Sequence, residues 1–259
     1  MKLTILGSGV KIPFPGRGNS GYFLQTSEHN ILIDGGSGTI RRVADFGLDY
    51  RSIDTIFYTH MHPDHTFDLI PLLFAWKHDP LVVDPVSLQI ICPQGFVSYF
   101  NKLMEIYGDW VLDDNISIDL KEVDREEIIL RDLTVTCGRT EHTDHSVTYR
   151  FVEDGDRSLF YSGDTDVCNE LIISGEGAHT VLLECSLPDD KKMEGHLTPT
   201  ECGEIATKMG CKRLILTHFL PSVLEIDISS LVQRFVKLMK WLEKQSTCQV
   251  AILLCEVSI

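Results

Sequence analysis

The chain has 259 residues, 43% of them hydrophobic and 24% charged, with no low-complexity tract or linker, which suits one globular domain over residues 1–259 built from two halves. Thirty-eight acidic residues face 23 basic ones, and this net charge of −15 argues against a protein gripping a long nucleic acid, which needs a basic stripe to release counterions. No apolar run approaches the ~18 residues that cross a bilayer, and the eight cysteines are dispersed without a Cys-x-x-Cys pair, as in a reduced cytoplasmic protein with no structural zinc knuckle.

Met1 to Leu6 reaches Gly7 too soon for a signal-peptide core, so Leu3–Leu6 reads as a first strand. Strand signals follow at Tyr22–Thr26 and Ile31–Asp34, then a helix at Thr39–Phe46 and a strand at Thr55–Thr59. A helix at Phe67–Lys77, a strand at Leu88–Cys92 and a helix at Val97–Tyr107 come next. Ile116–Glu122, Leu133–Cys137, Ser146–Val152 and Ser158–Ser162 read as strands, with Asp154-Gly155 as a tight-turn signal before the last of them. A helix over Asp166–Ile173 and a strand over Val181–Cys185 lead to Thr198-Pro199-Thr200-Glu201, an N-cap followed by proline at the first helical position, opening Pro199–Met209. The strand Arg213–Thr217, a helix over Ser229–Glu243 and the strand Gln249–Val257 complete the series; Leu231, Phe235, Leu238, Met239 and Leu242 give that last helix a core-facing stripe. Strands interleaved with helices in two halves predict an α/β fold, a four-layer αββα sandwich of two mixed β-sheets flanked by helices.

The stretch His60-Met61-His62-Pro63-Asp64-His65 carries the most chemistry. Histidines at i and i+2 project the same way on an extended backbone, and Pro63 pushes His62 out of the helical region. Asp64 and His65 then turn back as a helix begins, offering a second group of ligands close to the first. That layout suits two metal ions. Further candidates follow strand-like runs downstream: His142 or its neighbour His145, Asp164 and His218. Asp164 also reads as a helix N-cap before Thr165-Asp166-Val167. Ile56-Phe57-Tyr58-Thr59-His60 and Leu214-Ile215-Leu216-Thr217-His218 look alike, as if two related halves each bring a histidine to one rim. Asp34, followed by Gly35 and Gly36, reads as a structural group bonded to the histidine loop rather than as a ligand. Trp76, Phe96, Tyr99, Phe100, Tyr107 and Trp110 cluster around one predicted helix, as a satellite core or as a contact surface.

At these residues the chain resembles the metallo-β-lactamase superfamily, and within it the ribonuclease Z group. The resemblance takes in Leu6-Gly7-Ser8-Gly9, Asp34-Gly35-Gly36-Ser37-Gly38-Thr39, the histidine motif, Ser162-Gly163-Asp164-Thr165, Glu184, Gly195-His196-Leu197-Thr198 and Leu216-Thr217-His218-Phe219. It implies the four-layer fold. It also implies that His60, His62 and His142 bind one metal, that Asp64, His65 and His218 bind the other, and that Asp164 bridges them together with a hydroxide. His142 takes precedence over His145 in that ordered set. Histidine-rich ligation suits Zn²⁺, and a bridging carboxylate also suits Mn²⁺.

The catalytic set so implied is Asp64, Glu184 and His196, with His196 as general acid and Glu184 as its partner, since a carboxylate beside an imidazole favours its protonated form. Ribonuclease Z members usually carry a long arm that grips tRNA, often between the third metal motif and the bridging aspartate. Here the stretch Thr143 to Gly163 is used up by two predicted strands and a turn. Pro15-Gly16-Arg17-Gly18-Asn19 keeps only the arginine and asparagine of the family's Pro-x-Lys-x-Arg-Asn loop. Absent arm, altered loop and acidic surface point away from RNA and towards a small or cyclic phosphodiester substrate. The alternatives are tRNA 3′-end cleavage and hydrolysis of another ester, a sulfate ester or a lactone, the last with Tyr149 or Tyr161 as candidates. Dimers are common in the group, so a homodimer is expected.

Overall fold

A computed structural model describes residues 1–153, 157–233 and 249–252. They fall into two units, the first holding Met1–Val123 and the second beginning at Asp124.

In the first unit, β1 (Lys2–Gly7), β2 (Gly21–Gln25) and β3 (Asn30–Ile33) form an antiparallel meander. Parallel strands β4 (Thr55–Phe57), β5 (Val86–Pro93) and β6 (Ile116–Val123) then extend the sheet in chain order. Parallel neighbours need crossovers, and helices supply them. These are α1 (Thr39–Asp45), the single turn α2 (Pro63–Thr66), α3 (Leu69–His78) and α4 (Phe96–Val111). Val43 of α1, Leu72, Leu73 and Trp76 of α3, and Phe96 and Phe100 of α4 pack on Phe23, Leu32, Ile56, Leu88 and Ile90 of the sheet. Each fully buried side chain of this size contributes about 1.5–3 kcal/mol. The aromatic segment therefore divides. Trp76, Phe96 and Phe100 are core, whereas Ile106, Tyr107 and Trp110 form an exposed stripe at helical spacing on α4.

The second unit repeats the scheme. β7 (Glu127–Ile129), β8 (Leu133–Arg139), β9 (Val147–Glu153) and β10 (Arg157–Tyr161) are antiparallel; β11 (Thr180–Glu184), β12 (Arg213–Thr217) and β13 (Gln249–Ile252) continue in parallel. The helices α5 (Asn169–Gly175) and α6 (Pro199–Met209) pack Leu171, Cys202, Ile205, Ala206 and Met209 against Phe160, Val181, Leu183, Leu214 and Leu216. Pro199 begins α6 as expected, and Glu201 Oε2 accepts from the Thr198 amide at 3.0 Å.

Both sheets thus run from an antiparallel meander into three parallel strands, which supports two related halves. The Thr-His likeness is not what marks them, however. Counted from the last meander strand, β4 before His60 matches β11, and β12 before His218 matches β5. The expected helix at Asp166 starts later, at Asn169, because the Asp166 carboxylate is engaged elsewhere and Cys168 Sγ accepts from the Leu171 amide as the cap. The expected turn at Asp154-Gly155, the stripe from Phe235 to Leu242 and the last residues of the final strand lie outside the described residues. Among the described residues the cysteines are free thiols, and no helix is long and apolar enough to cross a membrane.

Candidate metal centre

In open α/β sheets, functional groups collect beyond the carboxyl ends of the strands. In the first unit those ends carry Asp34, after β3, and the histidine turn, after β4. His62 takes φ −63° and ψ 147°, the extended conformation that Pro63 imposes, and the helical turn α2 starts at Pro63 itself. As a result His60 Nε2 and His62 Nδ1 meet at 3.1 Å, and the His65 ring lies 4.1 Å from that of His60, centroid to centroid.

Asp34 holds this turn in place. Fully buried, with a left-handed φ of 52°, it accepts from the Thr59 amide (2.9 Å) and from His65 Nδ1 (2.8 Å). Thr59 Oγ1 donates to the same carboxylate and so accepts from His60 Nδ1 at 3.1 Å. A non-glycine residue held left-handed costs of order 1–3 kcal/mol and persists only where its surroundings over-determine it. Here the bonds to Thr59 and His65 do so, and Asp34 is the structural group that the sequence suggests. Asp64, buried, accepts from the Lys11 amide at 2.9 Å through Oδ2.

The glycines after Asp34 permit this close approach. A Cβ on Gly36 would lie 2.0 Å from the Asp64 carbonyl oxygen and 2.5 Å from Asn19 Cβ. Gly36→Ala is therefore expected to destabilise the protein by roughly 2–3 kcal/mol, the upper range for forced overpacking, read as a lowered denaturant midpoint at unchanged slope. An unchanged midpoint would mean that the turn yields freely.

In the second unit, β8 and β10 both run antiparallel to β9, so His142, Asp164, Glu184 and His218 all emerge at one edge of their sheet. Asp164 Oδ2 lies 3.6 Å from His142 Nε2, 3.3 Å from His218 Nε2 and 4.0 Å from His196 Nδ1. Asp164, His196 and His218 form a group whose potential ligand atoms are all within 4.8 Å of one another. His145, by contrast, is exposed beside Arg139, with 3.4 Å between Nδ1 and the guanidinium. Asp164 caps no helix, since α5 begins only at Asn169.

The surrounding bonds fix which ring nitrogens face inward. His142 Nδ1 donates to the Gly195 carbonyl at 2.9 Å, and His218 Nδ1 to Ser186 Oγ at 2.8 Å. With His65 Nδ1 on Asp34, each of these three rings carries its proton on Nδ1, so Nε2 is its acceptor nitrogen. That is the tautomer a metal ligand needs, and an outer hydrogen bond that sets it is a usual feature of metal histidines. The donor set therefore fits divalent cations of the zinc or manganese kind. His218 is also held at a left-handed φ of 58°.

Glu184 is buried and accepts four hydrogen bonds. Oε1 takes the Thr165 amide (2.9 Å) and His196 Nδ1 (3.0 Å), and Oε2 takes Ser186 Oγ (2.6 Å) and the Leu197 amide (3.1 Å). Ser186 thus links Glu184 to His218, a role that no sequence pattern announces. Lys192 is a second group that the motifs do not reveal. Its ammonium donates to Asp166 Oδ1 (2.8 Å), Glu201 Oε2 (2.7 Å) and the His196 carbonyl (2.5 Å). Asp166 in turn accepts from the Gly195 amide at 2.9 Å, so the loop bearing Gly195 and His196 is tied down at both residues. Burial pushes the Asp166 carboxyl up, but Lys192 and the Gly195 and Val167 amides outweigh it and hold the group below the usual carboxylate range. Tyr149 and Tyr161 face each other across β9 and β10 as buried strand residues.

Residues 29–219 match the family described as beta-lactamase superfamily domain. An uncharacterized protein of Mycobacterium tuberculosis (strain ATCC 25618 / H37Rv) is 28% identical over 234 residues, covering 89% of this chain and 85% of that one. The Ribonuclease Z of Mycobacterium marinum (strain ATCC BAA-535 / M) is 25% identical over 245 residues, covering 86% and 88%. Among solved structures, the metallo-beta-lactamase fold protein YhfI from Bacillus subtilis superposes with a TM-score of 0.81 at 21% identity, covering 100% of this chain and 98% of that one. With the family match spanning most of its length, the chain belongs to the beta-lactamase superfamily, a family generally made of hydrolases.

Proposed function

We propose that the protein is a dinuclear-metal hydrolase of small or cyclic phosphodiesters, working as a single domain in the cytoplasm. In this reading His60, His62 and His142 hold one ion, Asp64, His65 and His218 hold the other, and Asp164 serves both, with Zn²⁺ the first choice and Mn²⁺ the second. The observation that carries it is the set of histidines around Asp164 whose Nδ1 atoms donate outward, to the Gly195 carbonyl and Ser186 Oγ, while their Nε2 atoms converge on the Asp164 carboxylate. Two such ions would polarise a phosphoryl oxygen and bring the pKa of water towards neutrality.

The chain's own side chains would do the rest. Glu184 would accept a hydrogen bond from His196 Nδ1–H and fix the ring in its protonated form. The imidazolium then gives its Nε2 proton to the departing oxygen and is left neutral, with Nδ1–H still on Glu184. Buried Ser186 and the Leu197 amide keep Glu184 from swinging away. The net charge of −15 and the short stretch from Thr143 to Gly163 favour a small substrate over a polymer. The second reading, tRNA 3′-end cleavage, is supported by the relative named Ribonuclease Z. A lactone or sulfate ester is the third, and the burial of Tyr149 and Tyr161 in paired strands gives it no support. A homodimer is expected, and the exposed Ile106, Tyr107 and Trp110 of α4 offer an apolar face for it; sedimentation yielding monomer alone would overturn that expectation.

The test is hydrolysis of bis(p-nitrophenyl) phosphate by protein loaded with Zn²⁺ or Mn²⁺, with Asp64→Ala as control. Metal-dependent turnover that the control loses is the expected result. No turnover by protein with both ions bound would remove the phosphodiesterase reading and move weight to the other esters.

A further inference from the structure

His196 lies at the end of a loop whose middle adds nothing to the core. Leu187 and Pro188 are buried, but Asp189, Asp190, Lys191, Lys192, Met193 and Glu194 are all exposed. Polar bonds therefore set the course of this stretch. One foot is Asp189, whose carboxylate accepts from the Thr200 amide (3.1 Å) and hydroxyl (2.6 Å); the other is Leu197, whose carbonyl accepts from the Ser186 amide at 3.0 Å. Just before His196 the chain turns tightly, with Gly195 at a left-handed φ of 82° and the His196 amide on the Met193 carbonyl at 3.4 Å.

Lys192 spans the middle. Its ammonium donates to Asp166 Oδ1 (2.8 Å), Glu201 Oε2 (2.7 Å) and the His196 carbonyl (2.5 Å), and each acceptor belongs to a different segment. Asp166 stands two residues after Asp164. Its other oxygen accepts from the Gly195 amide, and its own amide donates to the carbonyl of Glu141, the neighbour of His142, at 2.7 Å. Glu201 also accepts from the Thr198 amide at the start of α6. The lysine thus joins the backbone that delivers His196 to the segments that carry His142 and Asp164. Two carboxylates and a carbonyl converge on one point, so that point needs a cation; without it, like charges would face each other unpaired. The Lys192, Asp166 and Glu201 side chains keep only 30%, 20% and 26% of their surface exposed, so water replaces the ammonium less well here than between surface ions. Burial pushes the Lys192 ammonium towards a lower pKa, but Asp166 and Glu201 outweigh it and hold the group above the usual lysine range, which keeps it charged.

We propose that Lys192 is a positioning residue for His196, an internal cation that holds the Gly195-His196 backbone where the His196 ring meets Glu184 and the Gly195 carbonyl meets His142. The proposal rests on the reading of His196 as the proton donor and adds the device that keeps the donor in place.

The first readout needs neither metal nor turnover. In metal-free full-length protein isotopically labelled in its histidine rings, the Nδ1 protons of His196, His142 and His65 are held on Glu184, Gly195 and Asp34. Their exchange with water is followed by NMR in wild type, Lys192→Met, Lys192→Arg and Lys191→Met, with His196→Gln to assign the first signal. Losing a charge-assisted bond is expected to speed exchange at His196 and His142 about tenfold in Lys192→Met, while His65 is unchanged. Lys192→Arg, which keeps the charge, and Lys191→Met, at the exposed neighbour, are expected to stay near wild type. Unchanged exchange at His196, equal acceleration at His65, or a His196 proton that wild type already fails to protect would overturn the proposal. Should Lys192→Met not fold, Lys192→Gln is read in the same way. The second readout is turnover of metal-loaded protein. For an alkyl phosphodiester, kcat is expected to fall about tenfold in Lys192→Met at unchanged KM, a part of the roughly 10²–10⁴-fold that a general acid supplies. For bis(p-nitrophenyl) phosphate the loss is small, because p-nitrophenolate departs without a proton. Equal losses on both substrates, or no loss on either, would leave Lys192 as a fold contact only. If wild type hydrolyses no phosphodiester but the His196 proton responds as expected, the positioning role stands and the phosphodiesterase reading fails. Turnover with unchanged ring exchange removes Lys192 and leaves that reading standing.

Discussion

Asp164→Asn is expected to lower metal-dependent turnover by about 10³-fold or more and to reduce bound metal by at least one ion per chain. The magnitude follows from position. Changes to groups that only orient a metal ligand already cost about 10–100-fold, and Asp164 does more than orient. Its Oδ2 is the point on which His142 Nε2, His218 Nε2 and His196 converge, at 3.6, 3.3 and 4.0 Å. Asparagine keeps the shape and removes the charge, so no cavity opens and the strand β10 that precedes the site keeps its packing. Denaturant midpoint, metal content by elemental analysis and turnover separate the possibilities. A variant that carries two ions and turns over at the wild-type rate would remove Asp164 from the centre altogether.

How much of this was legible in the sequence depended on whether a residue's role leaves a local pattern. The parallel strands were readable because short apolar runs bounded by Gly, Asp and Thr have few other uses. Glu127–Ile129 was not, being three residues long with exposed ends. The histidine turn was readable down to its backbone, because proline restricts the residue before it. Asp34 was readable as a structural group because glycines follow it, and the structure puts its bonds on Thr59 and His65. The helix start after Asp164 was misplaced for a tertiary reason: Asp166, a plausible first-turn residue, instead binds Lys192 and the Gly195 amide from a distant loop. The likeness of the segments ending in His60 and His218 misled for another reason. The pairing order puts these two at different places in the repeat, β4 next to the last meander strand of its sheet and β12 one strand further out in the other. Ser186 and Lys192 could not be found at all. A serine two residues past a strand-end glutamate has no signature, and a lysine in a polar loop reads as solvated surface.

His196→Ala should keep full metal content yet lose turnover by about 10²–10⁴-fold, the range for a general acid, and the loss should depend on the leaving group. The ring touches Glu184 through Nδ1 at 3.0 Å and stacks against His218 with 5.5 Å between centroids. It could therefore act as a proton donor, or it could merely prop up its neighbour. Leaving-group chemistry separates the two. p-Nitrophenolate departs without a proton, so an acid defect is small for bis(p-nitrophenyl) phosphate and large for an alkyl or ribosyl diester whose alkoxide must be protonated. A propping role would damage both substrates alike. Glu184→Gln extends the same logic, because the amide leaves His196 in place but cannot accept at both oxygens the four donors that Glu184 now takes. Its turnover should fall with the same leaving-group dependence as His196→Ala, and the double variant should lose little more than either single one, since the two residues act as a unit. Additive losses, or equal losses on both substrates, would assign the proton to another group and leave His196 as packing for His218.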